Sequence, residues 1–154
     1  MGRYATATRV SCEKTKSEIE KILARYGAQE FVYATKPEAA LVGFIAHGKQ
    51  IQFHLPLPPK TLDEFRLTPS GRHERHPEDA LKAWEQACRA RWRALANSIK
   101  MKLEAVEIGI TTFEEEFMAH IMIPGKGPAG KVLLPKINAM YDGKQNSLIG
   151  WEAK

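Results

Sequence analysis

The chain has little of what would mark it for export, for a membrane or for a familiar catalytic chemistry. Only two of its 154 residues are cysteines, Cys12 and Cys88, and neither has a CxxC neighbour, so they offer no disulfide framework and no zinc spacing. Both read as buried thiols in a reducing compartment. No apolar run approaches the roughly 20 residues that cross a bilayer, and no membrane contact is expected. The opening Met1-Gly2-Arg3-Tyr4-Ala5 has one arginine and no apolar run behind it, so no secretory signal is expected and the cytoplasm is the expected location. The signatures GxSxG, HExxH and GxGxxG are missing, and Lys126-Gly127-Pro128-Ala129-Gly130-Lys131 lacks the GxxxxGK[ST] spacing of a phosphate loop. No catalytic residue, metal or cofactor is therefore expected.

What is present is an ordinary globular composition, 44% apolar and 27% charged, at a length typical of one domain. The net charge of +5, from 23 basic and 18 acidic side chains, leans toward polyanionic partners.

Along the chain, Tyr4, Thr6, Thr8 and Val10 alternate with small or basic residues and predict a first strand over 3–10. Ser11 can cap a helix whose apolar face is Ile19, Ile22, Leu23 and Tyr26, with Gly27 as its stop. Segments 29–35, 39–46 and 50–55 read as a meander of antiparallel strands joined at Lys36-Pro37-Glu38 and His47-Gly48-Lys49. The run Pro56-Leu57-Pro58-Pro59 ends it, because proline cannot donate to a ladder. Residues 60–77 show no periodicity and predict a mobile loop. From Pro77 to about Glu107, Leu81, Trp84, Cys88, Trp92, Leu95, Ile99, Leu103 and Val106 recur at helical spacing. A helix of that length, about 45 Å, exceeds the width of a small domain. Thr112-Phe113-Glu114-Glu115 is a capping-box sequence for a short helix carrying Phe113, Phe117 and Ile121, and 132–141 predicts a last helix around Pro135. The tail offers Leu148, Ile149 and Trp151 for a contact.

At 100° per residue, Lys82, Gln86, Arg89, Arg93, Asn97 and Lys100 fall in one band beside the apolar stripe of the long helix. Such a basic rail can follow a phosphate backbone, and arginine can also stack on bases. Arg72 and Arg75 in the loop before the helix extend the same charge, and the polar strand face Lys49, Gln50, Gln52 and His54 is a further candidate surface. The alternative for the rail is a solvated helix face paired with Glu85 and Glu104. Glu116 and His120, four apart, and His73 and His76, three apart, have metal-like spacings but no third ligand, so no metal site is assigned.

From Ser11 to Glu107 the order helix, three strands, helix resembles that of the double-stranded-RNA-binding domain. That domain opens its second helix with lysines where Pro77-Glu78-Asp79-Ala80 is acidic here, so no residue role is carried over. The stretches Val10–Glu20, Arg25-Tyr26-Gly27-Ala28, Ile51–Pro56, Trp92–Glu107 and Gly109–Glu114 resemble a largely uncharacterised family of small proteins of bacteriophages, prophages and integrated mobile elements. The resemblance implies a bacterial host cell as the setting and assigns no catalytic residue.

Together these readings predict an α+β fold, with a small antiparallel sheet in the order strand-helix-strand-strand-strand-helix packed by the long amphipathic helix. Residues 1–109 would form the core and 110–154 a helical extension of the same domain. The expected function is non-enzymatic, sequence-independent nucleic-acid binding, single strands favoured, through Lys82, Arg89, Arg93, Lys100, Arg72 and Arg75. The alternative is a protein-binding inhibitor of a host defence or replication factor. A homo-oligomer is expected if Leu95, Ile99, Leu103 and Val106 exceed what one sheet covers; C-terminal Phe113, Phe117, Val132, Leu133 and Ile137 are the cover within one chain.

Overall fold

A computed structural model describes residues 5–142 of the protein. Helix α1 spans Cys12–Arg25 and begins as its cap requires: the Ser11 hydroxyl accepts from the Lys14 N–H at 3.2 Å. Gly27, at φ 87°, turns the chain out of the helix. Strands β1 (Gln29–Lys36), β2 (Ala39–Ala46) and β3 (Lys49–Pro56) then form an antiparallel meander in the order β1-β2-β3. His47 and Gly48, both at positive φ, make the two-residue turn between β2 and β3, whose twist matches that of the strands it joins.

The strands bury one face. Ala40, Val42, Phe44 and Ala46 of β2 lie beside Ile51, Phe53 and Leu55 of β3, and all seven are buried. A short helix α2 (Asp63–Arg66) precedes α3 (Pro77–Glu107), whose Cys88, Trp92, Ala96, Ile99 and Leu103 close the core from the other side together with Ile19 and Leu23 of α1. Pro77 occupies the first turn of α3, where a missing N–H breaks no hydrogen bond. Thus α1 and α3 lie side by side on one face of the sheet, and the opposite face is open.

Thr112 caps α4 (Phe113–Phe117) by accepting from the Glu115 N–H at 3.2 Å. Phe113 and Phe117 stack with centroids 4.4 Å apart, and Phe117 meets Phe53 edge-on at 5.9 Å. A 3-10 turn (Met118–His120), a two-stranded hairpin of β4 (Met122–Ile123) and β5 (Gly127–Pro128), and helix α5 (Ala129–Tyr141) follow. An isolated bridge from Ile121 to Ile51 ties this extension to the free edge of β3.

Three local expectations are corrected. Residues 5–10 form no strand: Ala5–Ala7 make a turn closed by Thr8 N–H to Ala5 C=O at 3.2 Å, and the segment lies against α3. There Gln86 donates to the carbonyls of Thr6 and Thr8, at 3.1 and 2.7 Å. Alternation makes a strand only where a sheet edge is within reach, and a helix offers none. Tyr4 and the tail residues Leu148, Ile149 and Trp151 lie outside the described residues. Segment 60–77 holds α2, a buried Phe65 and a bridge between Leu67 and Glu74, with Arg66 joining Asp63 and Glu74 at 2.8 and 2.7 Å. Lastly, Ile99 and Leu103 are fully covered within the chain, with Leu95 and Val106 packed at the rim of the core. Phe113 and Phe117 join that core, whereas Val132 is half-buried outside it and Leu133 and Ile137 stay exposed, so two of the five expected C-terminal residues serve as cover.

Candidate nucleic-acid interface

The basic rail of α3 is not a free row of charges, because α1 packs along it. Glu18 of α1 receives Arg93 Nη1 at 2.8 Å through one carboxylate oxygen and Lys100 Nζ through the other. Arg93 also donates to the buried Thr15 hydroxyl at 3.2 Å, and its Nε is buried without a partner. The hydrogen bond from Lys100, joined by Arg93, holds the Glu18 carboxyl below the usual carboxylate range against the opposing effect of burial. Arg89 clamps the Gln86 carbonyl oxygen with Nε and Nη2, at 3.1 and 2.6 Å, and so steadies the amide that holds residues 6–8. Lys82 is exposed and has no side-chain partner among the described residues.

The remaining predicted residues are placed elsewhere. Arg75 donates through Nε to the Leu67 carbonyl at 2.8 Å and braces the turn after α2, and Arg72 is exposed on that turn beside Gly71. The polar strand residues Gln50, Gln52 and His54 lie on the open face of the sheet, opposite the helices, while Lys49 pairs with Glu114 at 2.8 Å. That face cannot extend the rail. The metal-like pairs also dissolve: Glu116 meets Lys102 at 3.3 Å, His120 stacks on Phe53 with centroids 4.1 Å apart, and no group of three ligands exists among the described residues.

What the rail reading missed lies on α1. Lys14, Lys21 and Arg25, at spacings of seven and four, share one solvent-facing stripe, are exposed and make no ion pair among the described residues. Their spacing was visible in the sequence; that this stripe would stand beside the α3 cations was not. Residues 9–25 and 82–102 together carry eleven Lys or Arg against four acids, while the rest of the described chain carries nine against thirteen. Over the whole of α1 and α3 the balance is ten cations against eight acids, because Glu78, Asp79, Glu104 and Glu107 stand near the ends of α3. Arg91 and Lys102 reach Pro56 and Glu116 on its other flank. Positive charge is gathered on a two-helix platform, α1 and the middle turns of α3. The N-terminus of α3, by contrast, cannot hold phosphate well, since Glu78 and Asp79 already answer its positive dipole end.

The two tryptophans of α3 are withheld from this platform. Lys16 lies over buried Trp92 at 4.9 Å from the ring centroid, and Lys60 covers Trp84 at 4.4 Å, with the indole N–H of Trp84 donating to the Pro58 carbonyl at 2.7 Å. The two thiols meet here as well: Cys12 and Cys88 lie in the α1–α3 seam, and burial, the main cause, pushes both above the usual thiol range. No helix among the described residues is long and apolar enough to cross a membrane. No family model, curated protein or solved structure matches this chain.

Proposed function

We propose that this protein is a non-enzymatic, sequence-independent nucleic-acid binder that meets phosphates with the solvent side of its α1–α3 pair. The gathering of charge carries the reading: residues 9–25 and the middle turns of α3, residues 82–102 without Arg91 and Lys102, hold nine cations against four acids. A field concentrated on one rigid surface attracts a polyanion far better than the same net charge spread evenly. Lys14, Lys21, Arg25 and Lys82 are the direct phosphate contacts, and the Arg93–Glu18–Lys100 triad keeps one net positive charge behind them. Arg89 serves by bracing Gln86, and Arg72 and Arg75 stand apart on the turn after α2. With Trp84 and Trp92 covered, binding draws on backbone charge rather than base stacking, and the single-strand preference becomes a question for measurement. A phage or mobile-element origin in a bacterial cytoplasm belongs to the same proposal, resting on the resemblance above.

Fluorescence anisotropy with labelled single- and double-stranded oligonucleotides tests it. Four phosphate contacts give a slope of log K against log salt of about −3 to −4. The triple variant Lys14→Glu, Lys21→Glu, Arg25→Glu, confined to exposed positions, should lose at least about tenfold in affinity. Negligible binding to both forms at low salt overturns the reading.

A second reading is a protein contact, the inhibitor alternative, favoured by Met101, Ile108 and Ile110, which stand 62–74% exposed near the end of α3. Host-lysate capture with and without nuclease separates the two: a partner that survives nuclease favours the protein contact.

A further inference from the structure

Apolar surface in excess of what the described residues cover is found on α5. Leu133, Leu134, Ile137, Met140 and Tyr141 are all 39–63% exposed. The helix docks by its first turn: Ala129 is buried, and a Cβ on Gly130 would lie 3.1 Å from the Ala119 carbonyl oxygen, a close backbone approach. Beyond that turn the apolar stripe projects from the domain. At 100° per residue the stripe covers about 120° of the helix surface, with Lys136 on one flank and Lys131 on the other.

Beside the stripe runs a groove of about 440 Å³ whose second wall is α4 and the 3-10 turn. Met118 and Ala119 supply its apolar floor, and Glu115 and Glu116 its acidic rim. Two of the three successive glutamates are already engaged, Glu114 by Lys49 and Glu116 by Lys102. Among the described residues Glu115 has no cation partner, and neither Lys131 nor Lys136 has an acidic one.

An occupant of this groove needs an apolar stripe flanked by positive charge, and α5 itself has that form. A bilayer rich in anionic lipid would satisfy the lysines but would be repelled by the glutamate rim. A second copy satisfies both, because each protomer offers one acidic groove and one basic-flanked helix, the self-complementarity that a two-fold contact demands. We propose that α5 seats in the α4–α5 groove of a second copy of this chain, with Glu115 of each copy facing one lysine-bearing flank of the other's α5, that of Lys131 or that of Lys136. The contact runs the 13 residues of α5, about 20 Å. It stands independently of nucleic-acid binding, since molecular mass and oligonucleotide affinity are separate readouts.

Light scattering on the full chain over a concentration series should show a dimer that dissociates on dilution. Glu115→Lys alone, and the pair Lys131→Glu with Lys136→Glu, should each yield monomers by placing like charges across the contact. An equimolar mixture of those two variants should regain the dimer mass, because every facing pair is then opposite in sign. Circular dichroism of each variant should match the parent, all three positions being exposed. A monomer mass at every concentration overturns the proposal, as happens if residues 143–154 of the same chain cover the stripe. So does a mixture that stays monomeric, or wild-type protein that stays monomeric while binding vesicles of anionic lipid.

Discussion

Helices α3 and α5 carry the same kind of pattern and meet opposite fates. Both repeat apolar residues at spacings of three and four, yet α3 buries Cys88, Trp92, Ala96, Ile99 and Leu103, while α5 buries only Ala129. The difference lies in their neighbours. Helix α3 is covered by the sheet, by α1 and by Phe113 and Phe117, whereas α5 leaves the domain after one turn against Ala119. Periodicity specifies a face; the connections before and after it decide whether anything arrives to cover that face.

The sharpest way to break the comparison is to truncate the same residue type in both helices. Ile99→Ala should lose about 2–5 kcal/mol in urea unfolding, since Ile99 is fully buried and its removal leaves a cavity. At concentrations that keep the protein monomeric, Ile137→Ala should change stability by less than about 0.5 kcal/mol. Equal losses would mean that α5 packs within its own chain.

Next in size is the charged seam that α3 has and α5 lacks. Glu18→Gln should cost about 2 kcal/mol, between an exposed pair and a fully buried one, because Arg93 is left partly buried without its carboxylate. The folded carboxyl is held below its ordinary 4.5, so its contribution is present above that pH and is lost as pH falls through the lowered value. Wild type and variant should therefore converge in acid. The same substitution frees Lys100 and Arg93, so oligonucleotide affinity should rise while stability falls. A parallel fall in both would remove the platform from phosphate binding.

A smaller effect concerns His120, at the end of the 3-10 turn between the core and α5. Burial against Phe53, aided by Lys102, pushes it below the ordinary histidine value of 6.5. The folded state thus favours neutral imidazole, and stability should fall as pH drops below about 6.5, where the unfolded chain binds a proton first. Urea unfolding of His120→Phe should lack that part of the slope. The smallest effect is chemical: Cys12, half-buried and with a raised thiol value, should alkylate slowly at neutral pH and speed up in alkali. Rapid labelling at pH 7 would show the N-terminal end of α1 opening away from α3.

Legibility from sequence tracks distance along the chain. The Ser11 and Thr112 caps, the turn at His47-Gly48, the alternation of Ile51, Phe53 and Leu55, and the run of α3 from Pro77 to Glu107 were all readable. Each depends on atoms within a turn or a strand of the residue concerned. The threonine alternation before Ser11 misled because a strand also needs an edge, and no local signal reports whether one is near. Helix α5 was readable only in part: Pro135 suggested an interruption, but the helix starts at Ala129 and passes through that residue.

Local code therefore accounts for the elements, their ends and the faces they would bury, since steric and hydrogen-bonding preferences act over a few residues. The state of each charge and each apolar stripe came from packing. Glu18 meets Lys100 across 82 positions of sequence, and Thr15 meets Arg93 across 78, so a rail that looks free on a helical projection is half neutralised by a helix folded beside it. Likewise the stripe of α3 and that of α5 differ only in what the folded chain brings within 4 Å of them, a property that no helix carries in its own residues.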